Sequence, residues 1–161
     1  MLLRTFTAGL LWLFLNTASA ETLTGTVVAI TDGDTLVLLV DRQQNKVRIA
    51  GIDAPEKVQA FGSRSQSNLG QMAFQKQATA DCPKRDRYGR LICKVFVDGQ
   101  DVGLRQITDG MAWWFQKYGK EQSPEDRAAY EQAETMAKIR RVGLWSDTNP
   151  TPPWDWRHIR R

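Results

Sequence analysis

The sequence predicts an α+β fold in which five short strands form a small barrel that carries three helices. Two observations support this prediction. Strand-like segments separated by tight-turn dipeptides come first in the chain, and segments with helical patterning come mostly later. The length of 161 residues suits one domain rather than two.

Three strand-like segments open the predicted barrel. Residues 24–30 are β-branched and apolar, residues 35–40 form a second such run, and residues 46–52 alternate in polarity. An Asp-Gly dipeptide, typical of a tight turn, separates the first two segments, and a polar turn separates the second from the third. We therefore expect an antiparallel meander with short connections.

The middle of the chain mixes helical and extended patterns. Residues 63–80 are rich in Gln and Ala, with apolar residues at helical spacing, and predict the first helix. Residues 79–83 are interpreted as a short strand and residues 91–97 as a clear one, which brings the predicted strands to five. A short helix is predicted over residues 102–109, because Gly110 follows as a typical stop.

The third helix has the best-defined start. Ser123 is a good N-cap, Pro124 suits the first helical position, and acidic residues occupy the first turn. We expect this helix to run to about Val142 and to end at Gly143.

The two ends of the chain differ from its middle. Residues 1–20 combine Arg4, a Leu-rich apolar run and an Ala-Ser-Ala site, which predicts a signal peptide cleaved after Ala20. The alternative, a membrane anchor, needs about 20 apolar residues, and the run is shorter than that. Residues 148–161 form a tail rich in Pro, Trp and Arg that either packs on the domain or stays loose. The expected organisation is a signal peptide, a domain over residues 21–147 and this tail.

The net charge and the cysteine pair bear on the binding partner, on a disulfide and on a metal site. A formal net charge of +4 permits a polyanionic partner without identifying one. In an exported protein, the pair Cys82 and Cys93 predicts a disulfide at the base of a hairpin, with two buried free thiols as the alternative. A Cys/His metal site is disfavoured because the one histidine in the sequence, His158, lies far from the cysteines.

Four short features carry charged residues next to predicted turns. Each is weak by itself, because an ordinary turn, a helix cap or a surface arginine explains it equally well. The four features are Asp32-Gly33-Asp34-Thr35, Arg48, Asp53-Ala54-Pro55-Glu56 and Asp86-Arg87-Tyr88-Gly89-Arg90.

Together, these features suit phosphodiester hydrolysis. If the meander folds as predicted, Asp34 and Asp53 lie at the same end of adjacent elements, and two carboxylates with a backbone carbonyl make a hard oxygen site for Ca²⁺. The arginines Arg48 and Arg90 can fork onto phosphate oxygens and stabilise the charge of the transition state. Glu56 is a candidate to activate or orient an attacking water.

The ordered set of these motifs resembles the staphylococcal nuclease (thermonuclease) family. The resemblance covers roughly residues 22–147, and the Gly-Leu-Trp-Ser run at residues 143–146 resembles the closing segment of that family. It implies a five-stranded OB-fold barrel with three helices. It also implies a calcium-dependent endonuclease that cleaves DNA and RNA on the 5′-oxygen side and leaves 3′-phosphate ends.

The resemblance also implies residue roles. Asp34 and Asp53 would bind the metal through carboxylates, and Ala54 would bind it through its main-chain carbonyl. Position 54 is Ala where the best-known member of the family has Thr, so any contribution of a hydroxyl is lost.

The remaining roles concern the phosphate and the nucleotide. Arg48 and Arg90 would hold and polarise the phosphate, and Glu56 would be the base or would orient the water. Arg87 and Tyr88 would lie beside the terminal phosphate and the base of the nucleotide. Arg87 stands where the best-known member has Lys, which keeps the charge and changes the hydrogen-bonding geometry. The cysteine pair, absent from that member, flanks the loop that carries Arg90.

Two other functions compete with the enzyme hypothesis. Barrels of this kind also serve as non-catalytic nucleic-acid-binding modules, but such a module would be expected to lose some of the five charged residues that are all present here. An envelope structural or adhesion protein is the other alternative, and no positive feature supports it. We therefore expect a nuclease, monomeric by default, that is periplasmic or secreted and not inserted in a membrane after signal cleavage.

Overall fold

A computed structural model describes residues 21–159 of the chain. The signal peptide predicted for residues 1–20 therefore lies outside the described residues. Over the described range, the structure contains no helix with the length and apolar character needed to cross a membrane.

The first half of the described chain is built mainly from strands. Pleated segments with β-branched residues alternate with tight turns, and one helix interrupts them. The elements are β1 (Glu21–Asp32), β2 (Thr35–Val40), β3 (Gln43–Ile49), β4 (Ile52–Asp53), α1 (Gly62–Ala73), β5 (Gln77–Arg85), β6 (Leu91–Val97) and β7 (Gln100–Asp101).

The second half is mainly helical. Its elements are α2 (Val102–Thr108), β8 (Trp113–Trp114), a 3₁₀ helix (Gln116–Glu121), α3 (Pro124–Arg140), a second 3₁₀ helix (Gly143–Ser146) and α4 (Pro153–Ile159). As predicted, α3 begins after Ser123, whose hydroxyl accepts a hydrogen bond from the Asp126 N–H at 3.1 Å. It ends where Arg141 adopts a left-handed conformation with φ 52°, two residues before Gly143.

Five strands close into a barrel, which confirms the predicted α+β fold. The antiparallel pairs β1–β2, β2–β3, β1–β5 and β5–β6 form the wall, and a parallel pairing of β3 with β6 closes it. Side chains alternate along β6 between buried and half-buried positions, as expected for a strand with one face in the core. The interior contains apolar side chains from every wall strand, including Val27, Leu36, Val47, Ala80 and Val95.

The first helix is shorter than the predicted range of residues 63–80. Phe74 is extended, and Gln75 has a φ of 60°, so the helix stops after Ala73. The backbone then hydrogen-bonds to β1, because the Gln75 N–H donates to the Val27 carbonyl at 2.9 Å. From Gln77 onward the chain pairs with both β1 and β6. Strand β5 is therefore longer than the strand predicted over residues 79–83. Sheet pairing here overrides a helix-favouring composition.

Strand β3 begins and ends three residues earlier in the chain than the predicted range of residues 46–52. It starts at Gln43 and ends at Ile49, and the chain then turns at Gly51, whose φ is +75°. A Cβ at this position would approach the Gln122 amide nitrogen to 2.5 Å, so both the conformation and the space favour glycine. The turn separates β4 from β3 and lets Ile52 and Asp53 pair with β8 instead.

The structure contains the predicted disulfide between Cys82 and Cys93. It joins β5 to β6, and the Cα atoms of the two cysteines are 4.2 Å apart. The loop that it closes contains the segment from Asp86 to Arg90. The alternative of two free thiols is therefore wrong.

The tail forms one more helix than the three predicted. Residues 148–152 are not helical, as expected from their prolines, but Pro153 opens the short helix α4. Proline suits this first helical position because its missing N–H would have no partner there. The tail packs on the domain, with Trp154 stacked on Phe115 at 5.5 Å between ring centroids.

Candidate active site

The predicted site residues line one cleft at the end of the barrel. Its volume is about 730 Å³. Strand ends and the loops that follow them supply its walls, so residues from distant parts of the sequence meet there. All eight residues predicted to bind metal or substrate or to act in catalysis line it, namely Asp34, Arg48, Asp53, Ala54, Glu56, Arg87, Tyr88 and Arg90.

Two buried carboxylates meet one arginine at the base of the cleft. Asp34 follows the β1–β2 turn and Asp53 ends β4, and they are 6% and 1% exposed. Arg48 Nη2 lies 3.2 Å from Asp34 Oδ2 and 2.9 Å from Asp53 Oδ1. Its other terminal nitrogen, Nη1, donates to the backbone carbonyls of Ile49 and Ile52, at 3.2 and 3.0 Å. These contacts hold the guanidinium in one orientation.

Burial and charge act in opposite directions on the pKa values of these groups. Burial tends to lower the pKa of Arg48, but the charges of Asp34 and Asp53 outweigh it and the pKa is raised. For Asp53, burial is the largest effect and raises the pKa, although hydrogen bonds from Arg157 oppose it. The base of the cleft is therefore a region where negative charge is costly.

Hydrogen bonds orient the carboxylate of Asp34. The Ala54 N–H donates to its Oδ2 at 3.0 Å, and the Thr35 hydroxyl donates to its Oδ1 at 2.9 Å. Ala54 is itself buried. The loop after β4 and the turn before β2 are thereby fixed relative to one another. The two predicted side-chain metal ligands, Asp34 and Asp53, lie next to this contact.

A buried amide supports the β1–β2 turn, and no sequence pattern predicts it. Gln106 on α2 is fully buried and donates to the Gly33 carbonyl at 2.6 Å and to the Ser65 carbonyl at 3.1 Å. A glutamine in a short helix carries no pattern that predicts this contact. It connects two helices to the turn that presents Asp34.

Asp32 adds a carboxylate that was not among the predicted site residues. It lines the cleft, and its Oδ1 accepts the Asp34 N–H at 3.1 Å. Burial, followed by the charge of Asp34, raises the pKa of Asp32 to about 6. Asp32 therefore keeps a proton in the folded protein over a pH range in which it has lost it in the unfolded chain.

Replacing Asp32 by Asn is expected to stabilise the protein at neutral pH when no divalent cation is present. Since the folded pKa is raised from 3.8 to about 6, stability falls as the pH rises through this window. Asn keeps the acceptor for the Asp34 N–H and removes the charge. In urea unfolding with a chelator, we expect a gain of about 1–3 kcal/mol at pH 7.5 that vanishes near pH 4. An equal gain at both pH values would contradict the assigned cause.

The loop between β5 and β6 presents Arg90 through a local network. The Asp86 Oδ2 accepts from Arg90 Nε at 2.7 Å, and its Oδ1 accepts the N–H groups of Tyr88 and Arg90, each at 2.9 Å. Burial of the Asp86 carboxyl is outweighed by these hydrogen bonds, and its pKa is lowered. Together with the disulfide at the base of the loop, this network fixes the position of the Arg90 guanidinium.

Arg87 and Tyr88 form the exposed tip of the same loop. The Tyr88 side chain is 68% exposed, the Arg87 guanidinium lies 4.8 Å from its ring centroid, and Arg87 Nη2 donates to the Tyr88 hydroxyl at 2.6 Å. An exposed aromatic ring beside a cation is a suitable surface for a base and its phosphate.

Glu56 lies at the mouth of the cleft and contacts a residue from the tail. Its side chain is 41% exposed, and its Oε1 accepts from Arg157 Nη1 at 2.8 Å. Arg157 also donates to both carboxylate oxygens of Asp53, from Nη2 at 2.6 Å and from Nη1 at 3.3 Å. Sequence reasoning missed Arg157, since the tail matched no motif and carries several arginines.

The donor set at the base of the cleft fits a hard cation. The described residues contain no group of three or more His, Cys, Asp or Glu side chains arranged to hold a metal ion. The predicted set needs only the carboxylates of Asp34 and Asp53 with one backbone carbonyl. Within the described chain, the cleft lining includes no thiol or imidazole, and oxygen donors suit Ca²⁺ and similar ions. Burial is the main cause of the raised pKa values of Asp32 and Asp53, and the charge of Asp34 adds to it; a cation would offset this repulsion between the carboxylates.

Known proteins are similar in sequence to this chain over most of its length. Residues 46–147 match the family described as Staphylococcal nuclease homologue. A protein of Shigella flexneri named Micrococcal nuclease is 42% identical over 142 residues, covering 83% of this chain and 79% of the relative. An Uncharacterized endonuclease of Haemophilus influenzae is 38% identical over 149 residues, covering 92% of this chain and 80% of the relative.

The similarity extends to plants. A staphylococcal-like nuclease of Arabidopsis thaliana is 33% identical over 116 residues, which cover 72% of this chain and 34% of the longer relative. The match to the family includes β5, β6 and the cleft residues from Arg48 to Gln122, whereas β1, β2 and Asp34 precede it. Taken with the closed five-stranded barrel, these similarities show that the chain belongs to the staphylococcal nuclease family and is a nuclease, that is, a hydrolase of nucleic acids.

Proposed function

We propose that this nuclease is a calcium-dependent endonuclease that hydrolyses phosphodiester bonds of DNA and RNA on the 5′-oxygen side and leaves 3′-phosphate ends. The observation that carries this proposal is the meeting of Asp34, Arg48, Asp53, Glu56 and Arg90 in one cleft. Carboxylates for a cation, arginines for a phosphate and a carboxylate for a water are the groups that this reaction needs.

The cation would be held at the base of the cleft. Asp34 and Asp53 would bind it through carboxylates, and Ala54 would bind it through its main-chain carbonyl. When bound, Ca²⁺ supplies positive charge to a phosphate oxygen and to the attacking water. The hydrogen bonds to Asp34 from Thr35 and Ala54 support this role, because they orient the carboxylate before the cation arrives.

The arginines and Glu56 would carry out the chemistry on the phosphate. Arg48 and Arg90 bind the non-bridging oxygens and stabilise the charge that builds on them in the transition state. Glu56 accepts a proton from the attacking water, or orients it, while the water oxygen forms a bond to phosphorus. The bond from phosphorus to the 5′-oxygen breaks, this oxygen takes a proton from solvent water and leaves as a 5′-hydroxyl, and Glu56 returns its proton to solvent.

The rim of the cleft suits an unpaired nucleic acid strand. Arg87 and Tyr88 would contact the terminal phosphate and the base, and stacking on an exposed ring does not depend on sequence. Further cations and aromatic rings line the same cleft, namely Lys84, Arg85, Lys117, Phe115 and Tyr118. These features support the use of both DNA and RNA as substrates.

The proposal also covers the location of the protein, its domain bounds and its oligomeric state. We infer export to the periplasm or the medium after cleavage behind Ala20, a nuclease domain over residues 21–147, a tail over residues 148–161 and a monomeric state. The disulfide between Cys82 and Cys93 supports export, because disulfides persist in oxidising compartments.

A digestion assay tests the proposed reaction. The purified protein is incubated with single-stranded DNA and with RNA, first with Ca²⁺ and then with a chelator, and the product ends are analysed. We expect cleavage of both polymers only with Ca²⁺, and 3′-phosphate and 5′-hydroxyl ends. Binding without cleavage would favour the non-catalytic module, and cleavage in the chelator would refute the calcium requirement.

A further inference from the structure

Residues 151–159 form a docking segment that packs beside the cleft and places Arg157 in its lining. Gln59 Nε2 donates to the carbonyl of Thr151, which fixes the start of the segment. Trp154 stacks on Phe115 with an interplanar angle of 4° and meets Trp113 edge-on, with 6.4 Å between ring centroids. Phe115 itself lines the cleft, so this aromatic contact holds the segment at the site.

Arg157 extends from the docking segment to the carboxylates of the site. It occupies both oxygens of Asp53, at 2.6 and 3.3 Å, and the Oε1 of Glu56, at 2.8 Å. Its side chain is 39% exposed, whereas that of Asp53 is 1% exposed. A forked guanidinium–carboxylate pair is among the stronger polar contacts in proteins, particularly where one partner is withdrawn from water. Arg48 also contacts Asp53 Oδ1, at 2.9 Å, whereas Asp53 Oδ2 accepts from Arg157 at 2.6 Å, so the tail adds a second guanidinium to this carboxylate.

We propose that Arg157 competes with the divalent cation for Asp53, so that the docking segment is an internal inhibitor of the active site. The inference rests on the proposed function, since it takes Asp53 as a metal ligand and Glu56 as the base. A guanidinium and a cation that share the same carboxylate oxygens repel one another, so binding of one weakens binding of the other. The same guanidinium occupies the Oε1 of Glu56, so a water molecule cannot take that hydrogen-bonding position while the segment is docked.

The competition links the cation to the position of the segment. Arg157 and the cation exclude each other from Asp53, so the docked segment lowers the affinity of the cleft for the cation. By linkage, the bound cation lowers the affinity of the cleft for the segment by the same factor. Calcium is therefore expected to release residues 151–159 and to expose the face of Phe115 that Trp154 covers. An exposed aromatic face beside cations is then free for a base.

Calcium binding without nucleic acid tests the inference. The purified protein and its Arg157→Gln variant are titrated with Ca²⁺ by calorimetry, after circular dichroism has shown that both are folded. We expect the variant to bind Ca²⁺ about tenfold more tightly, since each 1.4 kcal/mol of lost competition corresponds to tenfold in Kd. Arg105→Gln is the matched control with an unchanged Kd, because Arg105 pairs with Asp109 on the surface of α2.

A second variant keeps the charge of Arg157 and loosens the segment. Trp154→Ala removes the stacking on Phe115 and, like Arg157→Gln, is expected to lower the Kd for Ca²⁺. If Arg157→Gln does not fold, the Kd of Trp154→Ala tests the competition instead. In the unsubstituted protein, added Ca²⁺ should accelerate amide hydrogen exchange in residues 151–159.

The outcomes separate this inference from the function on which it rests. If the protein binds Ca²⁺ and cleaves DNA but Arg157→Gln has an equal or weaker affinity for Ca²⁺, the competition is refuted and the proposed reaction stands. If neither protein binds Ca²⁺, both the competition and the proposed metal site are refuted.

Discussion

Replacing Glu56 by Gln is expected to lower kcat for single-stranded DNA about 100- to 10,000-fold at saturating Ca²⁺, the usual contribution of a general base. Gln keeps the size of the side chain and a hydrogen-bond acceptor for Arg157, but it cannot take a proton from water. Glu56 is 41% exposed and lies on a loop, so the substitution should leave the fold intact. Initial rates and circular dichroism check both expectations.

A matched control separates the role of Glu56 from a general effect of removing a charge. Glu131→Gln makes the same chemical change on the exposed face of α3, away from the residues that line the cleft. Its kcat should equal that of the unsubstituted protein. Near-normal kcat for Glu56→Gln as well would refute the assigned role.

Replacing Arg90 by Ala is expected to lower kcat about 100- to 1,000-fold, the usual cost of removing one donor that stabilises a transition state. The Asp86 carboxylate loses one charged partner but still accepts the N–H of Tyr88, so the loop keeps part of its network. Single-turnover measurement of the cleavage step isolates the effect from product release.

Arg90→Lys distinguishes charge from geometry. Lys restores the positive charge but lacks the planar fork that grips two phosphate oxygens. An intermediate rate is therefore expected. A rate for Arg90→Ala close to that of the unsubstituted protein would show that the phosphate is bound elsewhere.

Much of the barrel could be predicted because its strands carry local signals. The segment 35–40 is β-branched and apolar, and β2 has those bounds. The start of α3 was predictable for a similar reason, since Ser123 and Pro124 act within one helical turn. The end of α1 was not, because residues 74–80 leave the helix to pair with β1 and β6, which are distant in sequence.

The same distinction applies to the candidate site. Asp34, Arg48, Asp53 and Arg90 were identified from short motifs, because each lies next to a turn or a strand end with a recognisable composition. Arg157 was not identified, since its position depends on the packing of Trp154 against Phe115 and no local pattern encodes that contact. The buried amide of Gln106 was missed for the same reason.

The calcium dependence of the initial cleavage rate, measured for the unsubstituted protein and for Asp53→Asn, tests the central claim most directly. Asn is nearly the same size as Asp but removes the charge of a predicted metal ligand that is 1% exposed. We predict that the unsubstituted protein is inactive in chelator and that its rate saturates with Ca²⁺, whereas Asp53→Asn shows no measurable rate over the same range. Cleavage by the unsubstituted protein in chelator, or the same calcium dependence for both proteins, would contradict the assignment of this cleft as the calcium-dependent active site.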